Sequence, residues 1–580
     1  MLQPESRTAV LFLFQAFRRV VKEAGKHEIA VKMIFPATDG YISRADFFEE
    51  RLAHCPLTEA VAGFVSPLQL VKHVTFGVQE NFLAFIKLAA SGALLQSSST
   101  HLLLQRLKAL DQELCNRISL PWYFPTQLAM KRLAVIEGGF NLDFRHRVFE
   151  AAAALGIELV VLDRPGHWLQ DPSFSSLRRA FLPVDLTIDD SLVQRVLNTL
   201  KDNNITVDGV TAFSDKYVVV AAEIAESLQL PTSPSVAFAR VVDKHECRKL
   251  VDGDDQAICF SNLNKLKEHL QTTDHTFTYP LIIKPSRGGG SQGVLKVNNE
   301  MELFSAAGIL IDKHKSKVLV ESYIDGPEID ANYVLHNGEV IFFELSDNLP
   351  CAADKQGAKP MDSFLETGIM FPSGLDPGEI ELIRTSVYES LRKLGFSTGV
   401  FHVEARIRNS SMRFESGEDG TVDLRKHNRE ETVNPSVFLI EVNARAPGRQ
   451  ATNGVAQVYG VDYNAVQLLF AVGESERAKA LSQPFRNGPQ FWCESVYLPA
   501  TRGGVFKSDD VCAELIQRRP DLAKNIAECH CLFERGEIVP GPESGSLRWI
   551  ASFLVFSRDS RSDALRLADV IRKEVRYELE

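Results

Sequence analysis

Residues 279–297 read YPLIIKPSRGGGSQGVLKV, an apolar run that ends in Lys284 and opens at once into a glycine cluster. Gly288, Gly290 and Gly293 satisfy the dinucleotide spacing G-x-G-x-x-G. That fingerprint needs a helix after the glycines, because the pyrophosphate rests on the helix N-terminus. Here VLKVNN follows, which alternates and reads as a strand. A Walker loop is excluded as well, since its lysine follows the glycines. The arrangement left is a glycine-rich flap joining two strands, with a lysine at its entrance. Backbone amides without a Cβ in the way can approach phosphate oxygens, and Lys284 adds point charge for the same oxygens. The bland alternative is a plain hairpin with an exposed lysine.

Three further stretches favour the nucleotide. KVLVESYIDGPEID, 317–330, is an apolar strand that bends at Asp325-Gly326-Pro327, with Glu321 and Glu328 flanking the bend. A strand running into a connector exposes backbone groups that suit an adenine edge, and a carboxylate a few residues on can accept ribose hydroxyls. GVFHVEARI, 399–407, and VFLIEVNARAPG, 437–448, alternate between faces. His402, Glu404 and Arg406 share one side of the first strand; Glu441, Asn443 and Arg445 share one side of the second. A lone buried carboxylate costs several kcal/mol, so each acid needs a partner. Two carboxylates and an amide oxygen make a hard, all-oxygen set that suits Mg²⁺ on nucleotide phosphates, with Mn²⁺ as the substitute. Arg445 is placed to steady developing negative charge. The alternative is a salt-bridged polar sheet face with Arg406 and Arg445 as the partners.

Around this region the chain reads as several domains. Residues 1–127 look mostly helical (NFLAFIKLAASGALL, HLLLQRLKALDQEL) and carry no chemical motif. From RLAVIEGG onward, 128–235 alternates buried strands with helices, which implies a Rossmann-like parallel α/β domain. Ligands sit at the carboxyl ends of such strands, so EGG at 137–139 and FSD at 213–215 are candidate site walls. Residues 236–486 carry the chemistry and include a polar insertion at about 408–436. Residues 487–580 read as a small α+β module.

Composition narrows the partners. A net charge of −11, from 75 acidic and 64 basic side chains, argues against nucleic acid. The N-terminal AVLFLFQAFRRVV is apolar for only six residues, so neither a signal peptide nor a membrane span is expected. Nine scattered cysteines suit a reducing compartment, and Cys529-His530-Cys531 is read as structural for want of a second half-site. A cytoplasmic protein is the expectation, with a homodimer as the assembly considered.

The ordered set of motifs resembles the ATP-grasp superfamily, whose members join a carboxylate to an amine using ATP. Over roughly 130–490 the match runs in family order. The expected fold is α/β and α+β multidomain: an ATP-grasp fold behind the parallel α/β domain and the mostly helical N-terminal region. VVDKHECRKL resembles the entry segment, which implies that Lys244 is the first phosphate-binding lysine. PLIIKPSRGGGSQGV resembles the second lysine and flap, which gives Lys284, Ser286, Gly288, Gly289, Gly290, Ser291, Gln292 and Gly293 as nucleotide contacts. VESYIDGPE resembles the adenine and ribose segment, with Glu321 and the Tyr323–Ile324 backbone near adenine and Glu328 on ribose. Glu404, Glu441 and Asn443 fall where the metal ligands fall. The stretch 281–328 is very like D-alanine–D-alanine ligase. His402 and the form EVNARAPG, with Arg445, look more like L-amino-acid ligases and carnosine-synthase-type enzymes. The implied activity is formation of an acyl phosphate from ATP and a carboxylate, followed by attack of an amine. Arg445 would stabilise the oxyanion, His402 would orient the acyl group or take the amine proton, and Arg449 is a candidate for a substrate carboxylate. Two alternatives are a carboxylase or other acyl-phosphate user on the same scaffold, and a non-catalytic ATP-binding regulatory protein.

Overall fold

The computed structural model describes residues 8–22, 28–73, 81–97, 99–253, 257–272, 278–314, 317–355, 358, 362–428, 433–541 and 548–580. The chain forms two compact units. One holds residues 1–211, 227–231 and 459–490; the other holds 212–226, 232–458 and 491–580.

In the first unit, four parallel strands run in the order Gly209–Thr211, Lys131–Ile136, Ile157–Asp163, Ala180–Pro183. Leu133, Ala134, Ile136, Val160, Val161 and Leu162 are all buried, which is why these strands read as unbroken apolar runs. Helix Leu142–Leu155 starts at Asn141, whose side chain accepts from the Phe144 N–H. It stops at Gly156, which takes the left-handed conformation (φ 70°).

The N-terminal region departs from the mostly helical expectation. Helices Ala9–Lys22 and Thr100–Arg117 are present, but so are two three-stranded antiparallel sheets. One has the order Glu28–Ile34, Ser91–Ser97, Ala60–Gly63. NFLAFIKLAASGALL, read as one helix, is the short helix Phe82–Ile86 followed by the central strand Ser91–Ser97. Ala93, Leu94 and Leu95 are all buried there, so the strand has no polar face. A short apolar run of that kind cannot be told from a helix by periodicity.

The second unit contains two antiparallel sheets that matter for the site. The smaller has the order Ala257–Phe260, Val318–Ser322, Leu281–Pro285, Leu295–Val297. Leu281, Ile283, Val318 and Val320 pack with Leu303, Ala306 and Leu310 of helix Glu300–His314. The larger sheet has eight strands: Ser436–Asn443, Gly399–Arg408, Glu328–His336, Glu339–Asn348, Gly368–Phe371, Trp492–Pro499, Trp549–Ser557, Ile526–Cys531. The last three come from the 487–580 segment and extend the same sheet. The polar insertion contributes a hairpin of its own, Met412–Ser416 against Val422–Lys426.

One face of the large sheet is apolar. Ile329, Ala331, Tyr333, Leu345, Phe401, Val403 and Val442 pack there with Ile383, Val387 and Leu391 of helix Pro377–Leu394. That helix is N-capped by Asp376 and ends at left-handed Gly395. Because strand side chains alternate, the intervening polar residues are driven together on the other face.

Candidate active site

Lys284 lies in strand Leu281–Pro285, opposite Val318–Ser322, and is 3% exposed. Its Nζ is 2.6 Å from Glu321 Oε1. Glu321 also faces Arg248, at 3.3 Å from Oε2. Burial would raise the Glu321 carboxyl, but the two cations hold it below the ordinary range. Arg248 is held further by Asp252 at 2.6 Å, by the Leu439 carbonyl and by the Phe438 ring 4.0 Å away. The flap closes the hairpin between Leu281–Pro285 and Leu295–Val297. Gly288, Gly290, Ser291 and Gly293 all have positive φ, and a Cβ added at Gly288, Gly289 or Gly290 would meet nothing within 4 Å. The flap therefore presents bare backbone to open space. Lys244 starts helix Lys244–Asp252, reaches the Gly288 carbonyl, and lies 3.1 Å from Glu441 Oε1.

On the polar face of the large sheet the strand register fixes three rows. Asn443, His402, Asn332 and Glu344 are successive cross-strand partners. Glu441, Glu404, Asp330 and Ser346 form the next row, and Arg406, Glu328 and Asn348 the third. His402 donates from Nδ1 to Asn332 Oδ1, 2.8 Å away, and its Nε2 is 3.7 Å from Glu404 Oε1. Asn332 in turn donates to Glu344. Burial pushes the Glu441 carboxyl up to about 7; Lys244 pulls it back, while Glu404 and Asp215 oppose ionisation. Burial would raise the Glu404 carboxyl too, yet the hydrogen bond and charge of His402 hold it below the usual range. Arg445 is gripped at two atoms by Asp215, with Nε 2.9 Å from Oδ1 and Nη2 on Oδ2. The Asn443 amide, turned so that its nitrogen faces Asp215, donates to both carboxylate oxygens at 3.0 and 3.2 Å. Asp215 is the acid of FSD.

Residues 149–232 match the ATP-grasp N-terminal domain, and residues 258–351 match the D-ala D-ala ligase C-terminus. The "ATP-grasp enzyme fsqD" of Aspergillus fumigatus is 36% identical over 570 residues, covering 94% of this chain and 98% of that protein. The chain belongs to the ATP-grasp family of ligases. Carnosine synthase 1 of Gallus gallus is 25% identical over 64% of this chain, which spans only 38% of that longer protein. An L-amino acid ligase of Bacillus licheniformis shares the fold, with a TM-score of 0.58 at 19% identity, covering 78% of this chain and 99% of that one.

Within this ATP-grasp ligase, the expected residues fall into separate groupings. Lys244, Glu441, Glu404, Asn443, His402 and Arg445 are linked by contacts or by direct register. Lys284 and Glu321 form their own buried pair. Glu328 is engaged by Arg406, whose Nε lies 2.8 Å from Oε2; Arg406 also binds Asp354 at 2.8 Å and the Ile324 carbonyl at 2.9 Å. The Tyr323 N–H donates to the Pro280 carbonyl at 3.2 Å, and its hydroxyl donates to Asp354 at 3.0 Å. Among the described residues the Tyr323 carbonyl and the Ile324 N–H make no backbone hydrogen bond, and the Ile324 carbonyl is taken by the Arg406 side chain. Ser286 is buried and its backbone bridges Lys317 and Lys244; Gln292 is exposed in the flap. Arg449 opens helix Arg449–Tyr459 and is half-buried. The Arg406 and Arg445 guanidiniums thus bind Glu328, Asp354 and Asp215, not Glu404 or Glu441.

Sequence reasoning marked FSD only as a site wall and passed over Asp330, Glu344, Ser346 and Asn348. The alternation E-I-D-A-N from 328 and E-L-S-D-N from 344 is the signal that exposes them: polar residues at every second position of two buried strands. Among the described residues no three His, Cys, Asp or Glu side chains converge as a ready metal cluster. The expected set is two carboxylates and an amide. No described helix is long and apolar enough to cross a membrane.

Proposed function

We propose that the protein activates the carboxylate of an amino acid as an acyl phosphate at the expense of ATP, then couples it to an amine, releasing ADP and phosphate. The observation that carries this is the facing pair Glu404 and Glu441 with Lys244 on one side and the Asp215-held Arg445 on the other. A nucleotide-storage or sensing site has no use for a clamped guanidinium beside opposed acids. The family relatives include carnosine synthase and an L-amino acid ligase, which supports the choice of an amino-acid substrate.

Glu404, Glu441 and Asn443 fit Mg²⁺. The Glu441 carboxyl, raised to about 7 by burial and by its neighbouring acids, is a group whose ionisation a dication would favour. Bound there, the metal would supply charge neutralisation for the triphosphate. Lys284, now neutralised by Glu321, exchanges that partner for phosphate oxygens. Lys244 leaves Glu441 for the same purpose. The flap amides wrap the transferring group and exclude water from the acyl phosphate. Arg445, prevented from swinging by Asp215, meets the tetrahedral oxyanion. His402, fixed by Asn332, stands beside Glu404 where it can orient the acyl group or accept the amine proton. Arg449 is assigned to a substrate carboxylate, Glu328 to ribose, and the Tyr323–Ile324 link to adenine. The cytoplasm, where ATP and amino acids meet, is the proposed setting.

The test is a matrix of amino acids and amines scored for phosphate release, with mass spectrometry of positive wells. The expected product has the summed mass of two substrates less one water. ADP formation that depends on bicarbonate and needs no amine would instead assign a carboxylase.

A further inference from the structure

Four of the acids named for the site have a basic partner within ion-pair distance. Glu321 has Lys284, Glu441 has Lys244, Glu404 has His402, and Glu328 has Arg406. Asp330 is 1% exposed and has no Lys, Arg or His within ion-pair distance among the described residues. Its one recorded hydrogen bond is from Asn348 Nδ2, at 2.7 Å. Two more groups beside it are short of partners. The Ser346 hydroxyl, directly across the ladder from Asp330, is fully buried and makes no hydrogen bond among the described residues. The Asn348 amide oxygen, on the same face and 6% exposed as a residue, also makes none. Leaving buried polar groups unmatched is costly. All three groups offer oxygen acceptors, and one is a carboxyl whose ionisation is opposed by burial and by the neighbouring acids Glu366, Glu404 and Glu328. What they lack is a cation with several N–H donors.

The geometry points to Asp330, Ser346 and Asn348 as the subsite for the α-ammonium group of an amino-acid substrate, an assignment that rests on the ligase function proposed above. An ammonium has three N–H donors and matches a carboxylate, a hydroxyl and an amide oxygen one to one. The position is right for the chemistry. Asp330 is the cross-strand neighbour of Glu404, so the subsite lies about 5 Å, one strand spacing, from the Glu404–Glu441 pair. The ammonium and carboxyl carbon of an α-amino acid are two bonds apart, which lets one substrate place its ammonium on Asp330 and its carboxylate toward the phosphate end.

The experiment compares thermal unfolding of the full chain in methylammonium chloride and in tetramethylammonium chloride at equal concentration. Both salts screen charge alike, but only the first donates N–H bonds. The expected result is a higher melting temperature in methylammonium, a difference that disappears in Asp330→Asn and is reduced in Asn348→Ala. Equal melting temperatures in the two salts, or a difference that survives Asp330→Asn, would overturn the subsite. So would a stabilisation by MgCl₂ alone that Asp330→Asn abolishes, with none from methylammonium, since that assigns the acid to a metal. If Asp330→Asn does not fold, Asn348→Ala and Ser346→Ala decide. ADP with MgCl₂ is run in parallel: stabilisation by ADP without an ammonium preference sinks the subsite alone, whereas no response to ADP sinks the ligase function too.

Discussion

Replacing Glu321 by Gln should destabilise the protein more than replacing Lys284 by Met, although Lys284 is the residue assigned to the nucleotide. Three charged side chains are buried together here. Lys284 and Glu321 are 3% and 4% exposed, and Arg248 is 3% exposed. Arg248 has Asp252, the Leu439 carbonyl and the Phe438 ring besides Glu321. Glu321 has two cations. Lys284 has Glu321 as its recorded acid. In Lys284→Met the carboxylate keeps Arg248 and the methionine stem fills the space, so the loss should be about 1–2 kcal/mol, near that of a charged hydrogen bond. In Glu321→Gln the Lys284 ammonium is stranded, and breaking a buried pair in this way costs about 3–5 kcal/mol. At about 2 °C per kcal/mol for a unit of this size, the Gln variant should melt roughly 6–10 °C below the parent. The assay is thermal unfolding with and without ADP and MgCl₂. Phosphate oxygens can replace the missing carboxylate, so ADP should recover part of the deficit in Glu321→Gln, while in Lys284→Met the ADP shift should shrink. A Lys284→Met protein that melts below Glu321→Gln, or that keeps the parent's full ADP shift, would refute the reasoning.

Other outcomes follow from the same geometry. Glu441→Gln should lower phosphate release by about 10³-fold or more, since it removes one of two opposed acids; phosphate release at the parent rate would contradict it. Asp215→Asn should cut kcat about tenfold with little change in ADP affinity. It weakens a charge-assisted grip worth about 1.5 kcal/mol at a partly exposed site, and an unchanged kcat would remove Asp215 from the site. Glu366→Gln should stabilise the protein in a pH-dependent way. Burial, with Glu404 and Glu328 adding to it, lifts the Glu366 carboxyl to about 8 from an ordinary 4.5. Its ionisation therefore costs nothing below about 4.5, and the penalty grows until pH passes about 8. Denaturant melts should show no gain for the Gln variant near pH 4.5 and a gain of roughly 3–4 kcal/mol at pH 7–8; an offset constant with pH would contradict it.

The site was legible where a strand's period of two did the work. Glu404 and Glu441 announce themselves as acids in the middle of alternating strands, and the register pairs them directly. The flap was legible because the residues after Gly293 alternate, and the structure makes it a hairpin. The parallel strands of the first unit were legible because burial on both faces writes an unbroken apolar run. The same property hid the strand Ser91–Ser97, whose buried run looks helical. The clamp on Arg445 was out of reach, because Asp215 lies 230 positions away in sequence and nothing local marks the pair. Asp330 and Asn348 were legible in principle, through polar residues at every second position, but their missing partners are visible only once neighbouring strands are in place.

The central claim is that a carboxylate oxygen attacks the terminal phosphoryl group in the cleft between Glu404, Glu441 and Lys244. It is tested most directly by supplying the amino acid that drives phosphate release with both carboxylate oxygens as ¹⁸O. The account predicts that each phosphate released carries one ¹⁸O atom and that the amide product keeps the other. Phosphate free of label, formed at the same rate, would contradict it.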